Sequence, residues 1–401
     1  MKRRVLCRPI YLLHISVVLL FSFLLSLNTF SNYAEVPVAP SSPMHLVVDV
    51  RSAEEIWCQF ISRTQPFLRP SLFSERAKFT GRTDKVALLI DDRNNLAYFW
   101  AIPWTLYMLG PEWKLQIFAR ESNKSFFLAI IRRFALDNVL VETMEEVFGY
   151  GSWVDDAFMR RVQFMLSKQF WEAVRGENVL VVQDHGVPIR KWHRPVAAHV
   201  VDKVFSYAYA GAPWSLVQKP IDGTPFTAHP DISSLSPGND WRADHGGNGG
   251  FSFRKRSWLL KYAHDLGVPH NQLLANGTER SKLGNNHEDW IWGQLLGQVQ
   301  GGVAPKLLEN QFSSELLWNP HTLSIHNFHV HHSIPEMLTL VLSAAEEFFG
   351  KPSYEIFHLL YSTDTRGVRE TNPWHELKLD FPDAVIPPEC FTYYQNLTSS
   401  E

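Results

Sequence analysis

The sequence predicts an α/β fold: one domain with a mostly parallel central sheet flanked by helices, preceded by an N-terminal transmembrane helix and a stem. Three observations point there. Short apolar runs with polar punctuation recur at 85–91 (KVALLID), 113–119 (WKLQIFA) and 178–183 (NVLVVQ), the pattern of strands buried on both faces of a parallel sheet. A helical stretch at 96–109, interrupted near Pro103, separates the first two and makes a β-α-β opening. The 401 residues are 45% hydrophobic and 13% aromatic, which is ample apolar mass for a core and excludes a disordered or fibrous chain.

The N-terminus sets the organisation. Lys2, Arg3, Arg4 and Arg8 precede an uncharged run at 10–27. The run exceeds the apolar region of a cleaved signal, about 7–15 residues, and reaches the lower limit for a spanning helix, about 17. No clear A-x-A cleavage site follows, so the expectation is an uncleaved signal anchor with its basic end cytosolic and the remainder lumenal. The expected layout is a cytoplasmic tail at 1–9, a transmembrane anchor at 10–27, a stem at 28–80, a folded domain at 81–390 and a tail at 391–401. Pro and Ser enrichment at 34–43 marks the stem. A span this short suits a thin early-secretory membrane. The triplets at Asn123, Asn276 and Asn396 are acceptor sequons consistent with a lumenal position.

Further along, helical patterns follow at 153–174, 255–266, 287–298 and 335–349, whereas 211–250 is rich in Gly, Pro, Asp and Trp and reads as long ordered loops over a site. Thirty-eight basic residues against 41 acidic ones leave a net charge of -3, which argues against a general nucleic-acid binder. Three cysteines are too few for a disulfide scaffold; Cys7 precedes the apolar run, and pairing of Cys58 with Cys390 stays open.

Five stretches carry candidate chemistry. Gln183-Asp184-His185-Gly186 ends a buried strand with oxygen and nitrogen donors suited to a divalent cation, or with an ordinary turn cap. Gly211-Ala212-Pro213-Trp214 joins small residues to a flat ring on which a sugar stacks, or forms a tight turn with a core Trp. In 245–254, Asn248, Gly249 and Gly250 lead into an alternating strand, and such backbone can pass close to a ligand with free N–H groups. Glu288-Asp289 opens a helix, where a carboxylate either accepts a substrate proton or compensates the helix dipole. His326, His329, His331 and His332 offer metal ligands, although all four converge only if a turn intervenes. No Gly-x-Ser-x-Gly, His-Glu-x-x-His, P-loop or Gly-x-Gly-x-x-Gly motif is present, which lowers the common hydrolase, metalloprotease and nucleotide-fold alternatives.

Taken in order over about 84–330, these motifs resemble GT-A-type glycosyltransferases, and more closely a glycosyltransferase-like family classed as a domain of unknown function. The resemblance implies a GT-A-like domain. It implies a nucleotide-sugar site at Asp91, Asp92, Arg93, Gln183, Asp184, Trp214, Asn248, Gly249 and Gly250. It also implies a metal shell of Asp184, His185 and His326, with His329 second, holding Mn²⁺ or another divalent cation, and an acceptor base at Asp289 or Glu288. The usual D-x-D is absent, since one Asp is followed by His. The implied partners are a nucleotide-sugar donor, a glycan, lipid or protein acceptor, and the membrane; the implied location is the Golgi or endoplasmic reticulum, as a single-pass type II protein. The chemistry agrees, because glycosyl transfer needs positive charge beside the departing diphosphate and a carboxylate for the acceptor proton. Two other readings stay open: a catalytically silent carbohydrate-binding or scaffold protein, and a His/Asp metal-dependent hydrolase.

Overall fold

A computed structural model describes residues 52–148, 165–216, 246–266, 288–352, 373–386 and 390. The predicted cytoplasmic tail, anchor, first part of the stem and C-terminal tail lie outside the described residues, as do Asn276 and Asn396. No helix among the described residues is long and apolar enough to cross a membrane.

The chain enters the fold through α1 (Ala53–Thr64), whose N-cap Ser52 accepts from the Glu55 N–H. Then come β1 (Thr83–Ile90), α2 (Tyr98–Leu109), β2 (Lys114–Ala119), α3 (Glu121–Phe134) and β3 (Val139–Thr143). The second half contributes α4 (Lys168–Ala173), β4 (Gly176–Val182), β5 (Gly186–Pro188), α5 (Pro195–Val204), β6 (Tyr209–Ala212) and β7 (Asn248–Lys255). It continues with α6 (Arg256–Leu266), α7 (Glu288–Gly297), α8 (Lys306–Phe312), β8 (Ser324–His326) and α9 (Ile334–Phe349).

Six strands form one sheet in the order β3-β2-β1-β4-β7-β6. The pairs β3-β2, β2-β1 and β1-β4 are parallel, and β7 runs antiparallel to β4 and β6. Alternation along β1 shows why its sequence is continuously apolar. Ala87 and Leu89 enter the cluster that includes α1, α2 and α9, while Val86 and Leu88 enter the opposite cluster with Phe170, Trp171 and Trp292. From β1 the chain proceeds outward through β2 to β3, then returns to place β4 on the other side of β1. The strand order therefore reverses between β1 and β4, and the carboxyl ends of such a pair open onto the crevice where α/β sheets bind ligands.

Two expectations are corrected here. The stem does not extend to residue 80, because α1 is a core helix: Trp57 packs edge-on to Trp100 at 5.4 Å, and Thr64 Oγ1 accepts from Trp100 Nε1 at 2.9 Å. Cys58 on α1 is bonded to Cys390, both fully buried, which ties the start of the domain to its end. The second correction concerns 248–250. These residues begin β7, so they belong to the sheet and not to a loop laid over it.

Candidate active site at the β1–β4 switch

Asp91 and Asp184 follow the two strands at the reversal, and Arg93 spans them. The Asp91 carboxylate accepts from Arg93 N at 2.8 Å, Nε at 3.0 Å and Nη2 at 2.6 Å, and also from the Tyr98 hydroxyl. Arg93 Nη2 reaches Asp184 Oδ2 at 3.4 Å, where Asn95 Nδ2 also donates. On its other side Asp184 Oδ1 lies 2.7 Å from His185 Nδ1. Burial alone pushes the Asp184 carboxyl up, but His185 and Arg93 together outweigh it and hold the group well below the usual carboxylate range. The bond to Asp91 is the main reason the Arg93 guanidinium is fixed in its charged form. Its side chain remains 46% exposed, so the cation faces solvent while its anchor is buried. Asp92, between them, is half-buried.

Asn123 supports this loop from beneath. Its Nδ2 donates to the carbonyls of Asp91 and Arg93 at 3.2 and 3.4 Å, and its Oδ1 accepts from Arg120 N at 2.7 Å. Asn123 is therefore a buried structural residue and not a surface glycan acceptor.

The glycine strand and the acidic pair meet next. Gly249 N donates to Asp289 Oδ2 at 2.8 Å, and Gly250 N donates to Asn248 Oδ1 at 2.7 Å. The N–H groups expected to be open to a ligand are thus already engaged. The glycines are needed for a different reason, which is close packing. A Cβ on Gly249 would sit 2.7 Å from Asp289 Cβ, and one on Gly250 would sit 2.1 Å from His326 Nε2 and 2.6 Å from Gln183 Oε1.

The structure divides the Glu288-Asp289 pair. Glu288 is enclosed and holds Arg254 through two bonds, Nη1 to Oε2 at 2.7 Å and Nη2 to Oε1 at 2.8 Å. Burial pushes its carboxyl up to about 7 against the pull of Arg254. Glu288 thus anchors α7 to β7. Asp289 is only half-buried and turns back onto the glycine strand.

His326 ends β8, which pairs antiparallel with β5 and so stands beside His185, with ring centroids 4.9 Å apart. Its Nε2 is 3.2 Å from Gln183 Oε1 and its Nδ1 is 3.2 Å from Glu315 Oε1. Burial, with His185 adding to it, drives the imidazole well below its ordinary value, so it is neutral. The turn that the histidine cluster requires exists: Asn327 has φ of +46°, and a helical turn follows. His329 nevertheless points elsewhere, its ring parallel to Trp57 at 6.5 Å. Burial brings it down to about 4.

Glu315, which carries no signal in the sequence, joins the site. It is buried, it accepts from Asn248 Nδ2 at 3.0 Å, its Oε1 lies 3.2 Å from His326 Nδ1, and the Trp214 side chain also bonds to it. Burial pushes its carboxyl up to about 7, with His331, Trp214, His185 and Asn248 pulling against it. Three residues expected to touch a ligand, Trp214, Asn248 and His326, are thus gathered by a fourth. A bridge between Ser314 and Ile325 sets Glu315 next to β8.

The donor set does not form the implied metal shell. Asp184 turns toward Asn95 and Arg93, the His185 Nδ1 faces Asp184, and both His326 nitrogens face Glu315 and Gln183. Among the described residues no three His, Cys, Asp or Glu side chains converge as metal ligands.

Residues 157–328 match a family described as "protein of unknown function (DUF5672)". That span contains Gln183 to His326 but not Asp91 to Arg93. No curated protein matches. Among solved structures, the chain is similar to mouse xyloside xylosyltransferase 1 in its apo form, at 11% identity over 62% of this chain and 98% of that one, with a TM-score of 0.35. It is similar to the galactosyltransferase LgtC in complex with donor and acceptor sugar analogues, at 10% identity over 64% and 95%, with a TM-score of 0.38. A third similar chain is the apo bifunctional glycosyltransferase WbbM, at 9% identity over 75% and 52%, also with a TM-score of 0.38.

Proposed function

We propose that this protein is a lumenal glycosyltransferase, anchored by its N-terminal apolar run, that moves a sugar from a nucleotide-sugar donor to a hydroxyl of a glycan, lipid or protein. One observation carries the reading: Arg93 and Asp184, from the ends of the two strands at the topological reversal, are bonded across it, with Asp289 and the glycine strand on the β7 side. Arg93 and His185 offer positive or donor groups for the departing diphosphate. Asp289 accepts the proton of the attacking hydroxyl, and Trp214 gives the sugar a flat face. The buried Cys58–Cys390 bond supports an oxidising compartment, and hence the endoplasmic reticulum or Golgi with the folded domain lumenal. No step is assigned to a metal.

The test is thermal stability of the full chain against a panel of nucleoside diphosphates, in chelator and in Mn²⁺, because a ligand that binds the native state raises its apparent stability. Stabilisation by one nucleotide in chelator, lost in Arg93→Ala, is the expected result. Stabilisation that requires Mn²⁺ would overturn the reading of the donor set, and no stabilisation by any nucleotide would overturn the transferase reading. The engagement of Asp184 Oδ2 by Asn95 and Arg93, with His185 against Oδ1, favours one second reading, a carbohydrate-binding protein of the same fold without turnover.

A further inference from the structure

The side chains around Glu315 fix their own protonation pattern. The orientation of the Asn248 amide is set independently, because its Oδ1 accepts from the Gly250 backbone N–H at 2.7 Å. Its Nδ2 must then donate, and Glu315 Oε1 accepts it at 3.0 Å. The same oxygen faces His326 Nδ1 at 3.2 Å, and Trp214, whose ring nitrogen can only donate, bonds to the same carboxylate. Burial pushes the Glu315 carboxyl up to about 7, and above that pH, where it is charged, it can only accept from these donors.

We propose that Glu315 is the positioning residue of this site. It holds His326 as the Nδ1–H tautomer and, through Asn248, sets the entry of the glycine strand. As placed, His326 Nδ1 faces Glu315 Oε1 and Nε2 faces Gln183 Oε1, each at 3.2 Å, so the neutral ring can donate to only one of the two oxygens. The charged carboxylate can only accept whereas the Gln183 amide can turn over, so the proton goes to Nδ1 and the turned amide donates its NH2 to Nε2, which leaves its oxygen for a ligand beside Asp184. One carboxylate thereby orients residues of β4, β7 and β8 and the Trp214 turn together. Its significance for sugar transfer rests on the reading above, but the tautomer itself does not.

The experiment is ¹⁵N NMR of the full chain labelled at histidine, in mildly alkaline buffer, with the His326 signal assigned by its loss in His326→Gln. The expected spectrum shows a protonated Nδ1 and a bare Nε2. Glu315→Gln, which keeps an acceptor oxygen, retains that pattern, whereas Glu315→Val moves the proton to Nε2. A wild-type His326 protonated on Nε2 overturns the proposal, and so does an unchanged tautomer in a folded Glu315→Val protein. If Glu315→Val does not fold, the wild-type and Glu315→Gln spectra still decide. No nucleotide is present in this measurement, so its failure is distinct from failure of the transferase reading.

Discussion

Substitution of each member of the acidic pair separates an anchor from a proton acceptor. Glu288→Gln removes the charge that neutralises Arg254, whose side chain is fully buried and gives its two bonds to a carboxylate to Glu288, its other partners being the neutral Ser252 Oγ, Gly249 carbonyl and Met165 Sδ. Removing one partner of such a pair costs about 3–5 kcal/mol, because the remaining charge is left uncompensated in a low-dielectric interior. Unfolding entropy of about 2.1 cal/mol/K per residue over the compact unit Val48–Glu401 converts this to a fall in Tm of about 4–7 °C. Asp289→Asn keeps one acceptor oxygen for the Gly249 and Trp290 N–H groups and loses at most one charge-assisted bond at a half-buried position. Its expected cost is about 1–2 kcal/mol, or about 1–3 °C. Turnover should show the reverse order: Asp289→Asn lowers it by about 10²–10⁴-fold with donor binding nearly unchanged, as for loss of a general base. The assay is differential scanning calorimetry of both variants beside sugar transfer from whichever donor stabilises the wild type. A Glu288→Gln protein that keeps its Tm and loses turnover would refute the assignment.

Four other outcomes are expected. Cys58→Ser with Cys390→Ser opens a loop closed across 332 positions, and chain entropy then favours the unfolded state by about 6 kcal/mol, read as a lower denaturation midpoint. Gly250→Ala, whose Cβ would overlap His326 Nε2, destabilises by about 1–3 kcal/mol and displaces the His326 ring, measurable by calorimetry and by its NMR signal. The pKa of His329 is lowered to about 4 by burial, so its neutral form contributes stability above its unfolded value of 6.5, and that contribution is lost as pH falls from 6.5 through 4. The ceiling is about 3 kcal/mol, and His329→Gln should flatten the profile of urea midpoint against pH in that window. Finally, Asn123 carries no glycan when the chain is made in a secretory host: Asn123→Gln leaves gel mobility unchanged while lowering Tm, because the Asn123 amide supports the Asp91–Arg93 loop.

What could be read from the chain follows from how each element is buried. The strands β1, β2 and β4 are covered on both faces, so their sequences are continuous apolar runs that stand out without any partner being known. The helix α1 lies within the expected stem, yet its sequence carries a signal. Ser52 and Glu55 stand at capping spacing before Ile56, Trp57, Phe60 and Ile61, which share one helical face. The role of Gly249 and Gly250 was legible only in part. Composition marks a place where something approaches closely, but whether that neighbour is a ligand or the ring of His326 depends on contacts made by β8, more than 70 positions later. Glu315 had no local signal at all. Its place beside His326 comes from a bridge formed after the chain has turned through 316–323, and its partners Asn248 and Trp214 come from two other segments.

The same contacts weigh the alternative chemistries. A His/Asp metal hydrolase needs Asp184, His185 and the later histidines to present nitrogen and oxygen lone pairs to one point. Asp184 is instead turned toward Arg93 and Asn95, and His329 is spent on Trp57. Arg93 is the residue that separates the remaining readings, because its guanidinium is held on a buried carboxylate while nearly half of its side chain faces solvent at the strand reversal. Holding a cation rigidly at a mouth costs side-chain entropy and partial desolvation, and that cost is offset when an anion arrives there. Arg93→Lys therefore discriminates more sharply than Arg93→Ala. Lysine preserves the charge but cannot keep two bonds on Asp91 and still reach Asp184, so an anion held by the oriented fork binds at least about tenfold more weakly to it. Equal affinity of Arg93→Lys and wild type for a nucleoside diphosphate would show that only charge matters, and that the contacts across the reversal serve the fold alone.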